Sequence, residues 1–204
     1  MKKIALAILF VCCTLTLAAQ GIRVNYQGEK PTISDFAWAI LSYDNGEDEE
    51  EGYADESFNA FKQAWTKHRE SLPLEEGETL TIDQKNGFVL FESRYEENLL
   101  RIEMCYWNEA DKKHKLIAYN VASFTDGKYS VGQFDGLSFY RYDNATKELT
   151  FGADAGFDVE YGTEDGAWVS YALPSTGKDI TVTYWYENKK EQKTLKWNGS
   201  KFSF

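Results

Sequence analysis

Histidine and cysteine are scarce in this chain, with two of the first and three of the second among 204 residues, and that scarcity removes much of the usual catalytic repertoire. Histidine acid–base chemistry has two places to reside, His68 and His114. His68 falls near the edge of an apolar helical stripe, where a partly buried histidine with a structural hydrogen bond is a simpler reading than a general base. His114 stands among lysines in a hairpin turn and reads as a solvated residue. No G-x-S-x-G elbow, H-E-x-x-H zinc helix, P-loop or dinucleotide fingerprint occurs, which argues against the common hydrolases and nucleotide enzymes and leaves no cofactor or metal expected. Basic charge is short as well: 22 Lys and Arg face 33 Asp and Glu, for a net charge of −11. Such an acidic surface repels phosphate backbones, so nucleic acid and anionic lipid are poor partners. No basic cluster is longer than Lys112-Lys113-His114-Lys115, which reads as a small anion contact or, more plainly, as a solvated turn.

Long apolar runs are missing too, apart from the first residues. Lys2 and Lys3 form a positive start, 4–17 an apolar core, and Leu17-Ala18-Ala19 a small-residue exit before Gln20, which is the pattern of a cleaved secretory signal peptide over 1–19. The run is shorter than the roughly 20 residues a membrane span needs, and no second one follows. Cys12 and Cys13 invite a lipoprotein reading, but Leu9-Phe10-Val11 before them is too bulky for lipoprotein processing. Cleavage after Ala19 leaves residues 20–204 as a single expected domain, moves the net charge to −13 because Lys2 and Lys3 are lost, and leaves Cys105 without a disulfide partner. Within the strand expected over 99–107, Cys105 is a small buried hydrophobe; a nucleophile would need a base or helix N-terminus beside it, and no motif places one there.

The helical part is expected over about 32–73. Thr32 with Asp35 resembles a capping box, Phe36, Ile40 and Leu41 recur at helical spacing, and Asn45-Gly46 ends the first helix. Asp55 or Ser57 can cap a second, whose stripe runs Phe58, Phe61, Trp65, Leu72 before Pro73 stops it. Over 78–204 the period becomes 2. Turn dipeptides recur at Asn86-Gly87, Asp126-Gly127, Asp135-Gly136, Asp165-Gly166 and Asn198-Gly199. Between them lie aromatic and β-branched runs at 88–91, 99–107, 116–124, 137–142, 168–173 and 180–186, and a short lead containing Ile22, Val24 and Tyr26 adds an edge strand. Three stretches echo one another as hairpins: Tyr106 to Leu116, Tyr140 to Leu149 and Tyr184 to Leu195. Ten to twelve antiparallel strands in one flat sheet are unusual. The expected fold is therefore α+β, with two N-terminal helices packed against a large, curved or two-layered antiparallel β-meander.

The acidic run 47–51, with Asp44 and Asp55, lacks EF-hand spacing and reads as a solvated loop. Thirty-three acids offer many pairs for a carboxylate hydrolase, so abundance makes that signal nonspecific. Aromatics, at 16% of the chain, are the remaining clue, because sugars stack on exposed rings. Strand alternation puts Trp185 on one face with Tyr184 and Tyr186 on the other, and a cleft lined by Trp107, Tyr140, Tyr142, Trp185 or Trp197 is the candidate binding site.

The Ala19-Gln20 junction, the stretch Gly132-Gln133-Phe134-Asp135-Gly136-Leu137-Ser138-Phe139-Tyr140-Arg141-Tyr142-Asp143-Asn144-Ala145-Thr146 and the ending Leu195-Lys196-Trp197-Asn198-Gly199-Ser200-Lys201-Phe202 resemble uncharacterised secreted proteins of Bacteroidetes. That resemblance implies the periplasm or outside of a Gram-negative cell and transfers no functional residue. The expected function is an exported, non-catalytic binding or interaction protein of the cell envelope with a glycan or protein ligand. The alternatives are a secreted hydrolase using paired carboxylates and a protein inhibitor or envelope assembly partner.

Overall fold

A computed structural model of the protein describes residues 21–43 and 56–204. The expected leader with Cys12 and Cys13, the Asn45-Gly46 stop, the acidic run 47–51 and the Asp55 cap lie outside the described residues. The chain opens with β1 (Ile22–Arg23), α1 (Ile33–Leu41) and α2 (Glu56–Arg69). Seven strands follow: β2 (Glu78–Asp83), β3 (Phe88–Tyr95), β4 (Asn98–Asn108), β5 (His114–Thr125), β6 (Lys128–Tyr129), β7 (Gly136–Asp143) and β8 (Glu148–Phe151). With β1 they make an eight-stranded sheet of order β1-β8-β7-β5-β4-β3-β2, β6 pairing with the end of β5. A second sheet, ordered β12-β11-β10-β9, comes from β9 (Trp168–Ala172), β10 (Ile180–Trp185), β11 (Lys190–Trp197) and β12 (Phe202–Ser203). All the strand pairings are antiparallel, so the fold is α+β with an antiparallel meander that splits into two sheets.

Alternation along each strand of the large sheet feeds two cores. On β4, Ile102 and Met104 join a core with Phe36, Phe61 and Trp65 of the helices, while Cys105 and Trp107 point the other way, into a core with Val169, Val182 and Leu195 of the small sheet. The helices therefore cover one face of the large sheet and the small sheet covers the other. On the helix side Phe61 stacks on Phe91 at 5.6 Å and meets Trp65 edge-on at 5.8 Å.

The small sheet is docked by polar groups as well as apolar ones. Glu103 and Asn120 are cross-strand partners on β4 and β5, both buried and facing the small sheet. The Asn120 amide donates to the Tyr171 carbonyl at 2.9 Å and to Glu103 Oε2 at 3.1 Å, and that same oxygen accepts the Leu173 N–H at 3.0 Å. Two side chains thus do for β9 what a neighbouring strand does with its backbone. Burial raises the Glu103 carboxyl above its ordinary value, against the lowering pull of these donors.

Several local readings need correction. Asp135-Gly136 is not a hairpin turn: Gly136 opens β7, and the Asp135 carboxylate is taken up by Ser123, whose N–H and hydroxyl both donate to it at 2.8 Å. Leu72 does not continue the α2 stripe. Ser71, at φ 58°, closes a Schellman turn in which its N–H reaches the His68 carbonyl and the Leu72 N–H reaches that of Lys67, leaving Leu72 52% exposed. Ser57 lies within α2 rather than capping it. The three echoed stretches are the β4–β5, β7–β8 and β10–β11 hairpins. Among the described residues, no helix is long and apolar enough to cross a membrane.

Candidate functional site: two depressions divided by Tyr26

The connector from β1 to α1 runs along the helix side of the large sheet, and a depression lies on each side of it with Tyr26 as their common wall. The first is a groove of about 1050 Å³ bounded by the connector, the start of α1, the end of α2 and the end of β2. Asp35 fixes the start of α1 by accepting the Thr32 N–H at 2.7 Å and its hydroxyl at 2.8 Å, a cap that sets the direction of the helix beside the groove. One turn on, Trp38 stands half-buried at the flank of the apolar stripe, and the Arg69 guanidinium stacks on its ring at 4.0 Å. Gln84, just past β2, donates to the Ser34 hydroxyl and ties that strand end to α1. Asn25, Gln27 and the exposed His68 complete the rim. His68 is therefore a solvent-facing rim residue, not the partly buried one its stripe position suggests.

The second depression, of about 560 Å³, lies at the β4–β5 hairpin end and is lined by Glu29, Lys30, Tyr106, Asn108, Glu109, Lys112, His114 and Lys115 among others. Lys115 is only 8% exposed, so it does not belong to a solvated turn. Its ammonium donates to the Asn108 side-chain oxygen and lies 4.9 Å from the Tyr106 ring centre. Burial, then the like charge of Lys30, lowers its pKa.

His114 is not simply solvated either. Its Nδ1 lies 2.5 Å from Asp111 Oδ2 and its Nε2 lies 3.5 Å from Asp143 Oδ2. The His114 ring, followed by backbone N–H groups, holds the Asp111 carboxyl down at about 2. Next to it Arg141 grips the buried Glu109 in a fork, Nε to Oε1 at 2.9 Å and Nη2 to Oε2 at 2.6 Å. Glu109, Asp111 and His114 bring ligand atoms within 4.8 Å of one another, the spacing a metal ion would need. Arg141 Nη2, however, lies 2.6 Å from Glu109, 3.4 Å from His114 Nδ1 and 3.9 Å from Asp111. The guanidinium already stands among the three donors as their counter-charge.

The five aromatics named from the sequence do not share one cleft. Trp107 is buried in the inter-sheet core, 5.9 Å from Trp197 and edge-on to Phe202, and its Nε1 donates to the Lys178 carbonyl at 2.8 Å. Tyr142 is fully buried on the opposite face against Phe36. Tyr140, on that same face, is half-buried against Phe151 and lines a smaller apolar depression. Trp185 lies apart from all four, with Phe124, Tyr129 and the Ser170 hydroxyl. Two aromatics of the groove, Tyr26 and Trp38, are not among the five; the sequence offers Tyr26 only as part of an edge strand and Trp38 only as a residue off the Phe36, Ile40, Leu41 stripe.

Cys105 is free and buried between the sheets. Burial, then the nearby Glu103 charge, pushes its thiol well above the ordinary range, the opposite of what a nucleophile requires. Set against known proteins, the chain matches no family model, no curated protein and no solved structure.

Proposed function

We propose that the protein is an exported, non-catalytic binding protein and that the groove between Tyr26, Trp38 and Arg69 takes a glycan. The observation that carries this reading is the composition of the groove wall. A sugar presents weakly apolar ring faces and a belt of hydroxyls, each able to donate and accept. For the faces the groove wall has the rings of Tyr26 and Trp38, each with a cation, Lys147 or Arg69, over one side, and for the belt it has the amides of Asn25, Gln27 and Gln84 and the hydroxyls of Thr32 and Ser34. Its volume of about 1050 Å³ accommodates more than one sugar ring. The leader-like residues 1–19 and the likeness to secreted Bacteroidetes proteins support an address in the periplasm or on the surface of a Gram-negative cell.

A glycan array followed by calorimetry tests the groove. Trp38→Ala is expected to weaken binding at least tenfold, whereas Trp185→Ala, away from the groove, leaves it unchanged. An array without a hit, or a Trp38→Ala protein that binds like wild type, removes the reading. Export is checked by sequencing the N-terminus of protein recovered from the periplasmic fraction, which is expected to begin at Gln20.

A further inference from the structure

The second depression is out of keeping with the rest of the molecule. In a chain of net charge −11 it gathers Lys30, Lys112 and Lys115 around one concavity. None of the three has an ion-pair partner among the described residues. The acids on the same wall do not neutralise them: Glu109 gives both oxygens to Arg141, and Glu29 is exposed and forms no ion pair among the described residues. Asp111 and Asp143, nearby, are engaged with His114.

Lys115 is the decisive residue. An ammonium withdrawn from water ordinarily sits against a carboxylate, because desolvating an isolated charge is costly. Here the Lys115 residue is more than nine-tenths buried, and its ammonium meets a neutral amide oxygen and an aromatic ring. Lys115 lines the depression, so an anion bound there would lie beside it.

We infer that this depression binds an anionic group, a carboxylate or sulfate, carried by the ligand. Because Tyr26 is shared with the groove, the glycan is then an acidic one whose charged substituent passes the tyrosine and reaches Lys30, Lys112 and Lys115; this extension rests on the glycan reading. Arg69 on Trp38 gives the groove a cation of its own, in keeping with such a ligand.

The anion site is tested alone by NMR titration with inorganic sulfate at low ionic strength, where screening is weak. The amides of Lys30, Lys112 and Lys115 are expected to shift together. Lys30→Gln and Lys112→Gln alter exposed residues and spare the core; each is expected to weaken sulfate binding about tenfold, as loss of a charge-assisted contact does. Unshifted amides, or equal titrations of wild type and both variants, overturn the inference.

Neutral, uronate-bearing and sulfated oligosaccharides then test the extension. A uronate preference identifies a carboxylate and a sulfated-sugar preference a sulfate, and either preference is expected to vanish in the two lysine variants. Equal affinity for neutral and acidic sugars overturns the extension while the groove reading stands. If no sugar binds but sulfate still shifts the three amides, the groove reading fails and the anion site remains.

Discussion

The two faces of the large sheet are built on different principles. The helix-covered face is filled mainly by large apolar side chains, among them Phe36, Phe61, Trp65, Phe91 and Ile102, with the Tyr119 and Tyr142 hydroxyls buried among them, and the two depressions lie at its rim. The face covered by the small sheet has an aromatic core too, around Trp107, Phe202 and Phe139, but it takes polar groups inside: Glu103 and Asn120 meet the backbone of Tyr171 and Leu173. Apolar contact is tolerant of small displacements, whereas a hydrogen bond is not. The helices are held on by area, and the small sheet is held in a particular position.

That contrast can be broken by substitution. Phe61→Ala should have the largest effect, about 3–5 kcal/mol in denaturant unfolding, with no dependence on pH between 4 and 8, because only apolar volume is lost. Glu103→Ala comes next, about 1–3 kcal/mol, since it orphans the Leu173 N–H and one Asn120 donor inside the protein.

Glu103→Gln should behave in the opposite way, as its amide oxygen can still accept both bonds without a buried charge. The folded pKa of Glu103 is raised, so the folded state holds this proton more tightly than the unfolded chain. The stability it contributes is fully present below the unfolded value of about 4.3 and is lost as pH rises through the folded value. Glu103→Gln is therefore expected to be more stable than wild type near neutrality and to flatten this part of the pH profile. A wild-type profile matched in slope by the variant would remove the polar-docking account. The smallest effect is expected from Trp107→Phe, about 1–2 kcal/mol, because an aromatic ring still fills the site while part of the indole volume and the Nε1 bond to the Lys178 carbonyl are lost.

Much of the β architecture was legible because tight turns demand particular residues. Gly87, Gly127, Gly166 and Gly199 all sit at positive φ, at or near the turns their dipeptides announce. The β3–β4 turn is hidden because Glu96, at φ 52°, does there what glycine does elsewhere. Asp135-Gly136 misleads for the reverse reason: aspartate is also a good acceptor for a distant backbone N–H, and Ser123 claims it. The pairing of β1 with β8 joins residues more than a hundred positions apart, which no local pattern reveals.

The candidate site was less legible. Tyr26 and Trp38 come from a connector and a helix flank and meet only through the packing of α1 on the sheet. Trp107 and Tyr142, read as exposed candidates from strand alternation, are buried because both faces of the large sheet are covered. The basic cluster was visible as charge, but that β5 starts at His114, so that Lys115 enters the covered sheet while Lys113 stays exposed in the turn before it, becomes decisive only when the strand's bounds are known.

The arrangement at β9 also bears on how this protein meets other chains. An open strand edge is a template for intermolecular pairing and aggregation. At the end of β9 the Tyr171 carbonyl and the Leu173 N–H are taken by Asn120 and Glu103, and β12 and β1, at the far ends of their sheets, are two residues long, whereas β2, the other border of the large sheet, runs for six. Edge-to-edge pairing with another chain would fall to β2, the strand that borders the large sheet beside the groove.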